Sequence, residues 1–405
     1  MQSTNYRQFT VRWLAFIGII LVTLNLRTAI TPLSPIYNRI GESFPITTIS
    51  QSILGMLPPI SFSLFGWIAP RLSSRISFEK TLLLAMIMIF IGLISRSFSS
   101  NILMFSGFFF ISLMGIGISN VLLPPVIKVY FPTQIGLLTS IYTALVSVSA
   151  SIPALIVIPM TETYGWRVST AIWAILAIMA AVPWGILIKN SPTIPGNTKV
   201  RQLPAWRWSS SWALMLIFGL YNFLLFGVIS WLPKILISIS QIPPSEVGKM
   251  LSILTAVGFI PALFIPYMVT RIEHPYFLIL TFAIFTTAGC LGLLFLPEAV
   301  LVWVILLGLG MAQIPICLTL INTRSRTPAG ASALSGFVQG VGFLVGALGP
   351  LAIGATYNLT GTWITSLWLL VGTTVISALA GLVVVKPGFL EDHLGPKEEK
   401  IFSQS

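Results

Sequence analysis

The sequence predicts an all-α membrane protein in which twelve transmembrane helices form two bundles of six. Three observations predict it. The 405 residues are 56% hydrophobic and only 8% charged, whereas a soluble domain carries roughly 25% charged residues. The apolar runs are about 20 residues long, the length at which a helix crosses the hydrocarbon core. They are continuously apolar, whereas barrel strands would alternate over roughly 10 residues. Because the runs cover almost the whole chain, the membrane is its solvent, and the backbone must satisfy its own hydrogen bonds.

In chain order the expected spans are 12–34, 49–70, 81–97, 102–127, 135–160, 168–188, 209–233, 247–270, 275–296, 299–321, 330–356 and 363–385. The first resembles a secretory signal, with Arg7 and Arg12 ahead of Trp13 to Leu24. No small-residue cleavage site follows and Arg27 interrupts the run, so it is read as a retained helix. Reversals are marked by Glu79-Lys80, Phe131 to Gln134, Glu162 to Arg167, Arg271 to His274, Thr323 to Gly330 and Asn358 to Thr362. Asn358-Leu359-Thr360 matches a glycosylation pattern and is read as part of a turn.

The net charge is +12, but the basic residues are scattered over the span ends. Nucleic-acid binding needs them gathered on one soluble face and is excluded. Sixteen Lys and Arg fall on the side of the two termini. Five fall on the other side: Arg39, Arg96, Arg167, Lys234 and Lys249. Positive-inside bias therefore puts both termini in the cytoplasm of a bacterial cell, with the chain in its inner membrane. Cys290 and Cys317 lie in apolar spans, so neither a disulfide nor a metal site is expected. No cofactor is expected. The expected partners are a small-molecule substrate and membrane lipid, with the chain as a monomer.

The longest loop divides the chain into a six-helix bundle over 1–188, a cytoplasmic linker over 189–208, and a second bundle over 209–405 with a short cytoplasmic tail. The linker holds four basic residues, and Trp206 and Trp208 lead back to the interface. The halves look duplicated. Pro132 and Pro328 are 196 residues apart, Pro153 and Pro350 are 197 apart, and Trp173 and Trp368 are 195 apart. An offset near half the chain length fits a parallel repeat of a six-helix unit. The eleventh span is dense in glycine (Gly336, Gly340, Gly342, Gly346, Gly349, Gly354). The fifth is rich in Ser and Ala. Small residues let helices approach closely in lipid, either as static packing or as a sliding surface between halves.

Several motifs carry a family resemblance. Asn25-Leu26-Arg27-Thr28-Ala29-Ile30-Thr31 followed by Pro35 resembles the first-helix signature of the cyanate and nitroimidazole transporter family of the major facilitator superfamily. Asn120-Val121-Leu122-Leu123-Pro124, with Lys128 and Phe131-Pro132, is similar to its fourth-helix motif. Tyr142, Gly165-Trp166-Arg167, Trp231-Leu232-Pro233, Leu334-Ser335-Gly336, Gln339-Gly340 and Gly349-Pro350 also fit. The resemblance covers nearly the whole chain. It implies the major facilitator fold, a central cavity between the bundles, and alternate opening to each side. The superfamily's usual second-to-third loop carries an Asp-Arg pair and a second glycine. Here Gly66, Pro70-Arg71, Ser73 and Arg75 replace it, so a gate lock built on that aspartate is not expected.

Arg27 is the most informative residue. It stands 14 positions after Trp13, roughly 21 Å along a helix, inside the hydrocarbon region. An arginine there costs about 2.5–3.5 kcal/mol on insertion scales and faces a cavity or a partner. All ten carboxylates and both histidines, His274 and His393, lie in loops, span ends or the tail. Nothing within the span neutralises Arg27, and the Asp/Glu/His relay of many proton-driven carriers is missing. The guanidinium fork suits carboxylate-like or nitro-like groups. A structural arginine that snorkels or pairs with carbonyls is the competing reading.

Other polar residues that could line the cavity are Asn25, Asn120, Tyr142, Tyr221, Asn222, Gln313 and Gln339, with Trp231 and Lys128 nearer the span ends. Asn222 stands 195 residues beyond Arg27, in the repeat counterpart of the first span. Amides inside helices often only bridge helices, Trp231 could simply anchor at the interface, and Lys128 could snorkel. The expected function is secondary transport of a small organic anion or small electron-rich heteroaromatic compound. The transport would be uniport, exchange, or symport in which the substrate carries the proton. The alternative is proton-coupled export of nitroimidazole-like drugs. A membrane enzyme would want acidic pairs or His clusters at the membrane edge, and none is present. ATP-driven transport would want a Walker motif, which is also lacking.

Overall fold

The computed structural model describes residues 2–190, 204–272, 275–311, 313–384 and 388–393. Every regular element among them is helical. Ten stretches are long and apolar enough to cross a membrane. One of these, Ile135–Ile188, contains two spans, and the shorter apolar helix Thr10–Asn25 completes twelve. Most of the linker expected at 189–208 (191–203), with Glu273, His274, Lys386, Lys397 and Lys400, lies outside the described residues.

Six spans precede the linker. The first comprises α1 (Gln2–Asn25), a non-helical stretch over 26–33, a 3₁₀ turn at Ser34–Ile36 and the short α2 (Tyr37–Gly41). Then follow α3 (Thr48–Ile76), α4 (Phe78–Ser97), α5 (Ile102–Tyr130), α6 (Ile135–Ala171) and α7 (Ala174–Asn190). The other six run through α8 (Ser209–Ile239), α9 (Pro244–Val257) with α10 (Phe259–Arg271), α11 (Tyr276–Phe295), α12 (Val300–Gly310) with α13 (Ile314–Thr323), α14 (Pro328–Thr360) and α15 (Ile364–Val384). The bundle end that carries the start of α1 and the end of α15 is termed the terminal end, and the opposite one the far end.

Side chains start and stop these helices where the sequence changes. Thr47, Ser77, Asn101 and Thr327 each accept a hydrogen bond from an amide of the following first turn, which satisfies a donor the helix cannot. Gly361 closes α14 with φ +69°, a left-handed stop that glycine adopts without a Cβ clash. Spans 5 and 6 join with almost no loop. Gly165, at φ +80°, reverses the chain inside the expected Glu162 to Arg167 turn.

The structure departs from expectation in span 1. The sequence predicts a continuous helix over 12–34, but the helix ends at Asn25 and the span continues to Gly41. Asn25 Nδ2 donates to the Leu21 carbonyl, and the Thr23, Thr28 and Thr31 hydroxyls donate to carbonyls three or four residues back. Short polar side chains thus satisfy backbone groups that the break would strand in lipid.

The glycines of α14 serve two partners. Gly346 and Gly349 face α8, where an added Cβ would meet Asn222 and the Phe223 carbonyl. Gly340 and Gly354 face α3, against Trp67 and Ser52. One helix therefore packs within its own half and across to the other. Further contacts across the halves are neutral. Gln51 Nε2 donates to the Ser230 carbonyl at 2.8 Å, Ser63 Oγ donates to the Gly340 carbonyl at 2.8 Å, and Gly248 of α9 abuts Ala154 of α6.

At the terminal end, residues 388–393 fold back on the start of α14. Glu391 accepts from the Arg326 and Thr327 amides and from the Ser325 and Thr327 hydroxyls, while Arg326 pairs with Asp392 at 2.8 Å. Burial pushes the Glu391 carboxyl upward, but these hydrogen bonds outweigh it and hold the group below the usual carboxylate range. The thiols of Cys290 and Cys317 are both free and buried.

Candidate functional site

The break in span 1 lifts Arg27 out of helical register and points it between the halves at mid-height. Its guanidinium carbon lies 5.5 Å from the ring centroid of Phe62 and 5.9 Å from that of Phe226. Phe62 is the middle residue of α3 in one half, and Phe226 lies near the middle of α8 in the other. Ring faces attract the cation by about 0.5–2 kcal/mol each, which makes the charge tolerable without neutralising it. Tyr142 of α6 and Tyr221 of α8 are near enough to interact electrostatically with it. The Tyr142 hydroxyl donates to Asn120 Oδ1 at 3.1 Å, which draws α5 into the cluster.

The site residues expected from sequence divide into two groups. Arg27, Asn120, Tyr142 and Tyr221 come together from four spans. Gln313 joins through Tyr221: both line a cavity of about 10 Å³ with Thr286, Thr373, Thr374 and Ser377. Gln313 sits where span 10 breaks between α12 and α13, and its Oε1 has no hydrogen-bond partner among the described residues. Gln339 is half-buried on α14, one turn from Phe343, and donates to Ser335 Oγ at 2.6 Å.

The remaining four lie elsewhere. Asn25 is fully buried and bonded back to its own helix. Asn222, 1% exposed, donates to the Phe218 carbonyl and packs on Gly346. Trp231 is 0% exposed, donates to the Pro350 carbonyl at 2.8 Å and packs on Trp363 at 5.5 Å, so it wedges α8, α14 and α15 together. Lys128 is exposed at the terminal end of α5.

Sequence reasoning passed over two features. The first is an aromatic frame: Phe62 meets Phe226 at 6.1 Å and Phe343 at 5.4 Å, and Phe343 meets Phe218 at 5.1 Å. A phenylalanine in an apolar span carries no signal separating a cavity wall from a lipid contact. The second is Arg96. Expected among the charges of the outer side, it is 0% exposed instead. Its Nη1 donates to the Ala29 carbonyl at 3.0 Å, inside the non-helical stretch that carries Arg27. Phe105 and Phe109 cover it at 5.6 and 5.4 Å. The ion pairs Arg39–Glu42, Lys249–Glu246 and Arg326–Asp392 lie at span ends and include neither deep arginine.

Comparison with known proteins agrees with this architecture. The chain is 30% identical over 369 residues to an uncharacterized transporter, YycB, of Bacillus subtilis (strain 168), covering 90% of this chain and 91% of that protein. It is 28% identical to the 2-nitroimidazole transporter of Escherichia coli (strain K12), over 90% of this chain and 93% of the relative. It is 24% identical to the cyanate transport protein CynX of the same organism, over 85% and 90%. Among solved structures, a bacterial homolog of the human lysosomal transporter Spinster, inward-facing and unoccupied, superposes with a TM-score of 0.71 at 17% identity. The match covers 96% of this chain and 99% of that one. The family model described as Major Facilitator Superfamily matches residues 15–350, and the chain belongs to that superfamily.

Proposed function

We propose that this chain is a secondary transporter that carries a small organic anion or a small electron-rich heteroaromatic compound across a bacterial inner membrane by alternating access. The observation that carries the proposal is Arg27: a cation at mid-height between the two halves, flanked by Phe62, Phe226, Tyr142 and Tyr221, with no carboxylate partner among the described residues. A substrate supplying negative charge or electron density completes that environment. Flat rings on both sides suit a planar or linear solute, and the guanidinium offers two parallel donors to it. The names of two relatives, a cyanate transport protein and a 2-nitroimidazole transporter, fit this class.

Both termini face the cytoplasm, an orientation supported by the sixteen-to-five distribution of Lys and Arg. The neutral seams between halves, Gln51 to Ser230 and Ser63 to Gly340, can part without separating buried ions. Arginine stays protonated, and the acids of the described helices sit near their ends, Glu79 on the first turn of α4, where the Tyr130 hydroxyl donates to it, and Glu162 beside the Gly165 reversal. Transport is therefore uniport, exchange, or symport in which the substrate carries the proton.

The experiment is counterflow of labelled cyanate and of 2-nitroimidazole in proteoliposomes, with and without an imposed pH gradient. Exchange that is indifferent to the gradient and lowered about 10- to 100-fold in Arg27→Ala is expected. Obligatory proton antiport would overturn the coupling. Undiminished exchange by Arg27→Ala would remove that residue from the site.

A further inference from the structure

We propose that the cavity beside Tyr221 is a site for a sodium-sized monovalent cation, which tightens the binding of the anion at Arg27. The cavity, of about 10 Å³, lies wholly within the second half. Tyr221 of α8, Thr286 of α11, Gln313 at the break of span 10, and Thr373, Thr374 and Ser377 of α15 line it. That volume admits one occupant of the size of a water molecule, and a dehydrated sodium ion is no larger.

The polar walls offer lone pairs and few protons. Gln313 is 5% exposed, and its Oε1, which can only accept, has no hydrogen-bond partner among the described residues. Thr286 Oγ1 donates to the Phe282 carbonyl at 3.0 Å, Thr373 Oγ1 to the Leu370 carbonyl at 2.7 Å, and Thr374 Oγ1 to the Val371 carbonyl at 2.8 Å. A hydroxyl has one proton, so each of these threonines can offer the cavity only a lone pair. Ser377 Oγ is buried and also unpartnered among the described residues. A water has two protons to give and would leave acceptors idle, whereas a cation takes a lone pair from each of them. No carboxylate lines the cavity, and the described residues hold no His, Cys, Asp and Glu group suited to a metal. A divalent ion therefore has no counter-charge here. The break of span 10 adds backbone to the wall. α12 ends at Gly310, which lines the cavity, and Pro315 brings no amide to the broken turn. Unwound backbone of this kind holds sodium in other carriers. The dipoles of α12 and α13 meet end to end there and offset each other, so the choice of ion falls to the side chains.

The coupling rests on the reading of Arg27 as the anion site and goes beyond it. Tyr221 joins the two places: it lines the cavity and lies within electrostatic reach of Arg27. A cation held here raises the positive potential around Arg27. The anion therefore binds more tightly when the cation is present, and by reciprocity the cation binds more tightly when the anion is. Without an anion the two positive charges repel, which keeps the empty carrier from holding sodium firmly.

The test uses the full chain, purified in N-methylglucamine gluconate. It records the thermal shift as sodium or potassium gluconate replaces that salt at constant ionic strength, with and without cyanate. The proteins compared are native, Gln313→Leu, Thr373→Val and Arg27→Ala. In sodium-free buffer Gln313→Leu should melt within a few degrees of native. Saturable stabilisation by sodium, stronger than by potassium, is expected in the native chain. Its apparent affinity should weaken about tenfold in Gln313→Leu and Thr373→Val and tighten in Arg27→Ala, where the repulsion is gone. Sodium should also raise the apparent affinity of the native chain for cyanate. Should Gln313→Leu fail to fold, Thr373→Val decides alone. Sodium responses equal to native in the cavity variants, or loss of the response in Arg27→Ala, overturn the cation site. A native chain that answers sodium, potassium and N-methylglucamine alike holds only water there, which overturns it too. Cyanate binding that is indifferent to sodium overturns the coupling. Counterflow that is insensitive to Arg27→Ala would strike the transport reading instead and leave the sodium responses standing.

Discussion

Spans 1 and 7 each open one six-span half, yet they solve opposite problems. Span 1 breaks at Asn25 and runs non-helically over 26–33, with Arg27 turned between the halves. Span 7 is one continuous helix, Ser209–Ile239, and the residue 195 positions beyond Arg27 is Asn222, sealed against Gly346. Irregular backbone is tolerated at membrane depth only where protein covers it or a cavity meets it. Thr23, Asn25, Thr28, Thr31 and Arg96 supply that cover in span 1. Span 7 has no such set, and the glycines of α14 close on it instead. One opening span carries the charge. The other is a strut from which Tyr221 and Phe226 hang.

The harshest way to break this contrast is to move the charge. Asn222→Arg would place an arginine in the packed strut, at a cost of about 2.5–3.5 kcal/mol on insertion scales and about 1–3 kcal/mol of overpacking. Near-complete loss of monodisperse protein on size exclusion is expected, and a native yield would show that the strut has room. Next is Arg27→Ala. Loss of a charged hydrogen bond worth about 1.5–3 kcal/mol lowers counterflow about 10- to 100-fold. Ligand-free thermal stability should not fall, because an unbalanced charge leaves the interior. Arg27→Lys should lie between, keeping charge without the fork.

A gentler probe sharpens the contrast at span 10, the broken span of the second half. Gln313→Leu replaces an unpartnered acceptor with an apolar group of similar bulk, and its melting temperature should stay within a few degrees of native. A large drop would mean that the cavity beside Tyr221 holds an ordered partner for Gln313. The smallest effect is expected far from both breaks, at Glu391. Its carboxyl is held low despite burial, so its contribution is present above the ordinary carboxylate range and fades as pH falls through the depressed value. Hydrogen exchange at the first turn of α14 should therefore quicken below about pH 4. Glu391→Gln should show the faster exchange already at neutral pH and lose the acid dependence.

Much of this was legible in the residues. Apolar runs of helical length and the turn residues between them gave twelve spans, because lipid leaves the backbone few alternatives. Arg27 was legible because a charge in hydrocarbon is costly enough to need a reason. The break at Asn25 was not read, although Thr31, Pro32 and Pro35 crowd the stretch after it. Prolines inside α3, α5 and α6 leave those helices running, so proline alone does not mark a break. Arg96 was read as one more cation at a span end. Only the tertiary fold, which wedges it beneath span 1, separates it from Arg39 or Arg167. The 195-residue offset from Arg27 to Asn222 did not indicate that Asn222 packs against Gly346 rather than facing the other half.

The single-residue reversal at Gly165 has a mechanical consequence. A long loop between spans 5 and 6 would absorb motion as slack. Here α6 turns on one left-handed glycine and continues within a few residues into α7, which rests on α1 and α4. Torque applied to span 5 at its seam with span 8 would therefore reach, through α7, the spans that carry Arg27 and Arg96. A first half joined this tightly would turn as one lever, with both arginines travelling in it.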